Sequence, residues 1–254
     1  MLELFYYLVI SLIIQMILFI PAFLFKTDKL TDLSYSLSFV ILAFFAFFSS
    51  THDAVRIILL LMILLWALRL GSYLFYRINK IGRDTRFDDI RNNFFKFFMF
   101  WFLQGVSVFV IMINSLFIFS SNSNSNFNYL SLIGVAIWAL GLSIEAISDI
   151  QKFNFKQNNK DKWINSGLWT YARHPNYFGE MLCWAGIFIY TAFYLNSITL
   201  IYSVISPLFI IFLLLFVTGI PTLEKKYDAQ FKDNKEYLLY KKKTNLLLPI
   251  KLKN

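Results

Sequence analysis

The stretch "VRIILLLMILLWALRLGSYLFY", residues 55–76, decides the fold. It is long enough, at the about 20 residues a helix needs to cross roughly 30 Å of hydrocarbon, to span a bilayer. Similar apolar stretches lie near residues 2–25, 34–50, 94–119, 129–150, 177–195 and 199–219. The chain is 58% hydrophobic, holds 30 Phe and is only 15% charged, which is more apolar surface than a soluble domain of 254 residues can bury. The expectation is an all-α, polytopic membrane bundle of about seven transmembrane helices. Residues 1–119 form its first four helices, and residues 129–254 its last three with a basic tail.

Basic residues set the predicted orientation, because Lys and Arg are retained on the cytoplasmic side. All of the 24 Lys and Arg except Arg56, Arg69 and Lys96 fall in the odd-numbered connections or in the tail after Ile220. That pattern places the N-terminus outside and the C-terminus inside. The net charge of +9 therefore reads as topology, and nucleic acid is not an expected partner. The opening "MLELFYYLVISLIIQ" lacks a basic leader and a small-residue cleavage site, so it reads as a retained first helix. A single cysteine, Cys183, excludes an internal disulfide framework, and with only His52 and His174 no metal centre is expected. "SSNSNSNFN" at 120–128 reads as a flexible polar loop.

Polar residues inside apolar stretches are costly in hydrocarbon and mark candidate sites. Arg69 and Gln104 lie within the third and fourth stretches, and Glu145 and Asp149 close the fifth. Glu145 and Asp149 are four residues apart and share a helix face, which Lys152 and Lys156 continue at the next turns. Snorkelling is the alternative reading for Arg69 and Lys152. Asp32 reads equally as a helix cap.

The segment "GLWTYARHPNYFGEMLCWAG", residues 167–186, gathers Arg173, His174, Asn176, Tyr177 and Glu180 directly ahead of an apolar run. Pro175 is suited to a helix start, so the sixth helix is expected to begin there. Arg173 and His174 then flank a helix N-terminus, whose unsatisfied N–H groups and positive dipole end favour an anion such as a phosphate. Arg supplies a planar donor fork, and the Asn176 amide both donates and accepts. A capped, charged helix entry packed against the tail is the alternative.

The run from 139 to 188, with "SDIQK" at 148–152 and "RHPNYFGE" at 173–180, resembles the steroid 5-alpha-reductase-like family of multi-pass membrane proteins, in particular its large uncharacterised branch. The likeness extends to "DLSYSLSF" at 32–39, "LWALRLGSYLFYR" at 65–77, "GRDTRFDDIR" at 82–91, "FWFLQG" at 100–105, "PTLEKKY" at 221–227 and "YKKKTNLLLP" at 240–249. The resemblance implies an oxidoreductase that binds NADPH in its C-terminal half and transfers a hydride to a carbon-carbon double bond of a lipophilic substrate held among the N-terminal helices. Carried over by motif, Asp149, Lys156, Arg173, Asn176, Tyr177 and Glu180 belong to the cofactor site, with His174, Tyr240 and Lys243 as further candidates. Glu145 and Lys152 join them from the helix-face reading. No G-x-G-x-x-G turn is present, so loops and helix ends must bind the dinucleotide. Hydride addition to an enone builds charge on oxygen, which needs a proton donor or hydrogen-bond donor. Asp32, Tyr35, Arg69 and Gln104 are the position-based catalytic candidates, and no Glu of the early helices matches the one used by the steroid reductases.

Isoprenylcysteine and phospholipid methyltransferases also place an Arg-His-Pro string before a helical hairpin, there serving S-adenosylmethionine. Their usual partner is a Glu-Glu pair after the last span, whereas this chain has Glu224 followed by Lys225. A non-catalytic lipid-binding protein is the third reading. The sequence places the chain in a membrane, that of the endoplasmic reticulum or a bacterial inner membrane, with a lipophilic small molecule and membrane lipid as its partners.

Overall fold

Apolar residues crowded at helical spacing, with Asn, Asp and Gly at the breaks, give helices throughout the computed structural model. It describes residues 2–82, 84, 87–121 and 125–251. Arg83, Arg86, Lys253 and residues 122–124 of the polar loop lie outside the described residues. The helices are α1 (Leu2–Leu24), α2 (Thr31–Phe48), α3 (Ala54–Ile81), α4 (Phe94–Phe119), α5 (Leu132–Asn158), α6 (Pro175–Ala192), α7 (Ser197–Ser203), α8 (Ile205–Phe212), α9 (Ile220–Phe231) and α10 (Lys235–Lys243). Among the described residues no β-strand forms, and β-type pairing is limited to one parallel bridge between Ala172 and Asn245.

The helix starts follow from side chains that satisfy orphan N–H groups. Asp53 accepts from Arg56 N at 2.9 Å, Asn93 from Lys96 N at 3.1 Å, and Asn234 from Glu236 N and Tyr237 N at 3.0 and 3.1 Å. α3 stops at Gly82, whose φ of 89° suits a residue without a Cβ.

Among the described residues, six segments are long and apolar enough to cross a membrane: Glu3–Leu24, Thr31–Phe48, Ala54–Ile81, Phe94–Phe119, Tyr129–Asn158 and Ser197–Phe231. They coincide with six of the seven stretches expected from sequence. The remaining one folds as α6, an 18-residue helix that begins at Pro175 as expected but gives its opening turns to Asn176 and Glu180. Its apolar length is shortened by those polar residues, so it does not join the six.

The chain divides into two compact units. One comprises Met1–Leu132 and Ile187–Ser206, the other Ile133–Gly186 and Pro207–Asn254. In the first unit α2 packs on α3 and α1 on α4, around Phe39, Leu59, Ile63, Trp66 and Trp101, all fully buried. A polar thread runs inside this apolar packing. Gln104 Nε2 donates to Thr31 O (2.9 Å) and Ser34 Oγ (3.0 Å), and Gln15 Nε2 donates to Ser38 Oγ (2.9 Å). Meanwhile Ile13, Ile17, Ile20, Leu61, Leu65 and Leu68 are exposed, as side chains facing lipid tails are.

In the second unit α5 and α6 approach through glycines. A Cβ on Gly141 would lie 2.7 Å from Cys183 N and Gly179 O, and one on Gly179 would lie 2.6 Å from Glu145 N. Gly186 would meet Trp138 N at 2.5 Å. Two helix backbones in near contact are the usual consequence of small residues one face apart in a membrane. This contact sets Glu145 and Asp149 beside the beginning of α6.

Candidate functional site

The site grows from the C-terminal end of α5. Glu145 and Asp149 share a face as their spacing predicts, and both are buried. Cys183 Sγ lies 3.9 Å from Glu145 Oε2, and Asn176 Nδ2 donates to Asp149 Oδ1 at 3.2 Å. The same amide leaves its buried Oδ1 without a hydrogen-bond partner in the protein.

A 3-10 turn over Gly167–Thr170 wedges Trp169 against α5. Trp169 Nε1 donates to Ser148 O at 3.0 Å, Leu168 N donates to Gln151 Oε1 at 3.0 Å, and Lys152 Nζ sits 4.7 Å from the Trp169 ring centroid. Gly167 adopts a φ of 62°, and a Cβ there would strike the Gln151 amide at 2.5 Å. The motif glycine thus permits both the turn and the approach of α5.

The tail then closes over the Arg-His-Pro segment. Asn245 N donates to Tyr171 O (3.1 Å), Arg173 N to Asn245 O (2.9 Å) and His174 N to Leu246 O (3.0 Å). The backbone N–H groups of Arg173 and His174, which flank the α6 N-terminus, are thus paired with tail carbonyls and are not free to hold an anion. The Arg173 side chain is also engaged. Its Nη1 donates to Lys241 O (2.7 Å) and Thr244 O (3.3 Å), the carbonyls at the end of α10, and its Nε donates to Glu224 Oε1 (3.2 Å).

Glu224 is the hub of this cluster. His174 Nε2 lies 2.9 Å from its Oε1, and Lys241 Nζ lies 3.2 Å from Oε2. Lys241 also pairs with Asp228 at 2.6 Å, and Tyr237 Oη donates to Asp228 at 3.2 Å. Burial pushes the His174 imidazole below its ordinary pKa, reinforced by Lys152 and Arg173 and only partly opposed by Glu224. A neutral ring that donates through Nε2 must keep Nδ1 as an acceptor. That Nδ1 is buried and has no protein partner. The ring stacks on Tyr177 with centroids 5.7 Å apart and planes 11° apart.

Aromatic rings wall this cluster. Trp163 packs edge-on against Phe231 at 5.1 Å and Tyr237 at 5.4 Å, and Tyr240 Oη donates to Trp169 O at 2.7 Å. Between Trp163, Trp169, Arg173, His174, Glu224 and Tyr240 remains a space of about 20 Å³. Burial raises the Tyr240 pKa above its ordinary value.

The cofactor candidates therefore divide. Arg173, His174 and Tyr240 meet around Glu224, while Glu145, Asp149 and Asn176 form the α5–α6 contact, with Lys152 over Trp169. Glu180 is half-buried on α6. Lys156 closes the next turn, donating to Lys160 O at 3.1 Å and Lys162 O at 2.5 Å. Lys243 lies exposed on the outer face of α10 and has no place in the cluster.

The four catalytic candidates have separate neighbours in the first unit. Asp32 pairs with Arg77 at 3.1 Å, Tyr35 packs edge-on to Phe39 at 5.0 Å, Gln104 serves the polar thread, and Arg69 is half-buried on α3. Sequence reasoning left Glu224, Asp228, Lys241, Trp163 and Trp169 out of the site. A signal was present: Glu224 and Asp228 are one helical turn apart, and Tyr237, Tyr240, Lys241 and Thr244 recur at helical spacing.

Helices of this length and apolarity define an integral membrane protein, with a polar, aromatic-walled collar in its second unit. The chain belongs to the family described as "Protein of unknown function (DUF1295)", whose model matches residues 18–244. No curated protein and no solved structure matches it.

Proposed function

We propose that this protein is a membrane-embedded, NADPH-dependent reductase that transfers a hydride to a carbon-carbon double bond of a lipophilic substrate, a steroid, sterol, isoprenoid or fatty acyl chain. The observation that carries the reading is the pair of buried acceptors without protein partners, His174 Nδ1 and Asn176 Oδ1, beside the motif that resembles the steroid 5-alpha-reductase-like family. The topology proposed with it has the N-terminus outside and the C-terminus in the cytoplasm, by the distribution of Lys and Arg.

In kind, the residues fit a dinucleotide. The two orphaned acceptors suit the N–H and O–H donors of a carboxamide and a ribose, and Lys152 and Arg173 suit phosphate. In size, the closed collar does not: about 20 Å³ holds roughly one water, whereas a ligand of this class needs several hundred. Entry therefore requires α10 to release Arg173 and Trp169. Bound NADPH would supply the hydride. Among the catalytic candidates, the Gln104 amide can hydrogen-bond a carbonyl oxygen but is no acid, and the Asp32 carboxylate is ion-paired with Arg77, so the hydroxyl of Tyr35 is the proton donor of this reading. Arg69 supplies positive charge for a developing oxyanion.

A second reading, an S-adenosylmethionine-dependent methyltransferase, is favoured by one feature. Glu224 accepts from both Arg173 and His174 inside an aromatic wall, and a sulfonium cation is drawn to a carboxylate and to ring faces. The test is thermal stabilisation of the detergent-purified protein by NADPH, NADH and S-adenosylmethionine. NADPH should raise the midpoint, and Asn176→Ala should remove that rise. A rise with S-adenosylmethionine alone moves the conclusion to the methyltransferase, and no rise with any of them to a non-catalytic lipid-binding protein.

A further inference from the structure

α10 has two faces with different chemistry. Tyr237, Tyr240 and Lys241 lie three and four residues apart and form the row that holds the collar. The other face carries Leu238 and Leu239, 49% and 52% exposed, flanked by the exposed Lys235, Lys242 and Lys243 and by one exposed acid, Glu236. Beyond the helix, Leu248 and Ile250 are exposed beside the exposed Lys251. α10 lies outside the segments apolar enough to span a membrane, so bilayer hydrocarbon around a span does not account for these leucines.

We propose that the outer face of α10, with the segment to residue 251, lies on an anionic bilayer surface. Leucines set between lysines match the boundary of headgroups and acyl chains, where apolar side chains enter and ammonium groups remain with phosphates. A second copy of the chain is disfavoured as the occupant, because the same face would meet its own lysines. Anionic lipid supplies the complementary charge, and each lysine near such a surface strengthens binding. The inner and outer rows share one rigid helix. The lipid surface thereby holds the strap in place over Arg173 and Trp169.

The experiment uses the full chain in nanodiscs and needs no nucleotide, so its outcome is separable from that of the proposed reductase activity. A fluorophore is placed at Leu239→Cys in a Cys183→Ala background, and quenching by brominated lipid is read in phosphatidylcholine discs and in discs with phosphatidylglycerol. Quenching should be several-fold stronger in the anionic discs. Lys235→Gln with Lys242→Gln and Lys243→Gln should remove the difference, and so should raised salt on the chain that keeps its lysines. Equal quenching in both compositions, or a fluorophore shielded from lipid by a second copy, overturns the proposal.

Discussion

His174 Nε2 and Glu224 Oε1 stand 2.9 Å apart although 50 residues separate them in the chain. This bond ties the Arg-His-Pro segment to α9, and through Lys241 to α10.

Glu224→Ala should loosen the collar. It leaves Arg173 and Lys241 without their shared carboxylate, and hydrogen bonds to a partly buried charge contribute roughly 2 kcal/mol. A lowered thermal midpoint for Glu224→Ala, with faster proteolysis near residues 232–234, is the expected result. Glu224→Gln should lose less, because it keeps an acceptor for His174.

The pH dependence follows from the buried imidazole. His174 has a pKa below its ordinary value in the folded protein, so between the two values the unfolded chain binds the extra proton. Stability is full above about pH 6.5, the ordinary value for His, and falls as the pH drops below it toward the depressed folded value. Thermal midpoints measured from pH 7.5 to pH 5 should decline, and His174→Gln should flatten that decline.

Gly179→Ala tests the α5–α6 contact. The new methyl would lie 2.6 Å from Glu145 N, and overpacking of this kind costs roughly 1–3 kcal/mol. Because the contact also sets Asn176 against Asp149, the substitution should weaken ligand stabilisation as well as lower the midpoint. A midpoint and ligand response equal to those of the unaltered chain would show that the helices do not pack through these glycines.

Gln104→Leu removes the donor to Thr31 O and Ser34 Oγ from the first unit. Interhelical hydrogen bonds in membranes average about 0.6 kcal/mol, so the midpoint should fall by only a degree or two. If Gln104 orients substrate, reductase activity should fall far more than stability, and a parallel loss in both assigns it to packing.

The sequence by itself determined the features set by distance along the chain. Apolar length marks the six membrane-length segments, Pro175 marks the start of α6, and four-residue spacing places Glu145 and Asp149 on one face. The tertiary structure decided which partners those residues meet. Only packing could bring Glu224 to His174, the α10 carbonyls to Arg173, and Trp169 to Ser148. Hydropathy and motif spacing carry no information on which side chain from a distant helix arrives at a given face. For that reason the sequence offers Arg173 only as a candidate cation for a phosphate, and its engagement with Glu224 and the tail is visible in the tertiary structure alone.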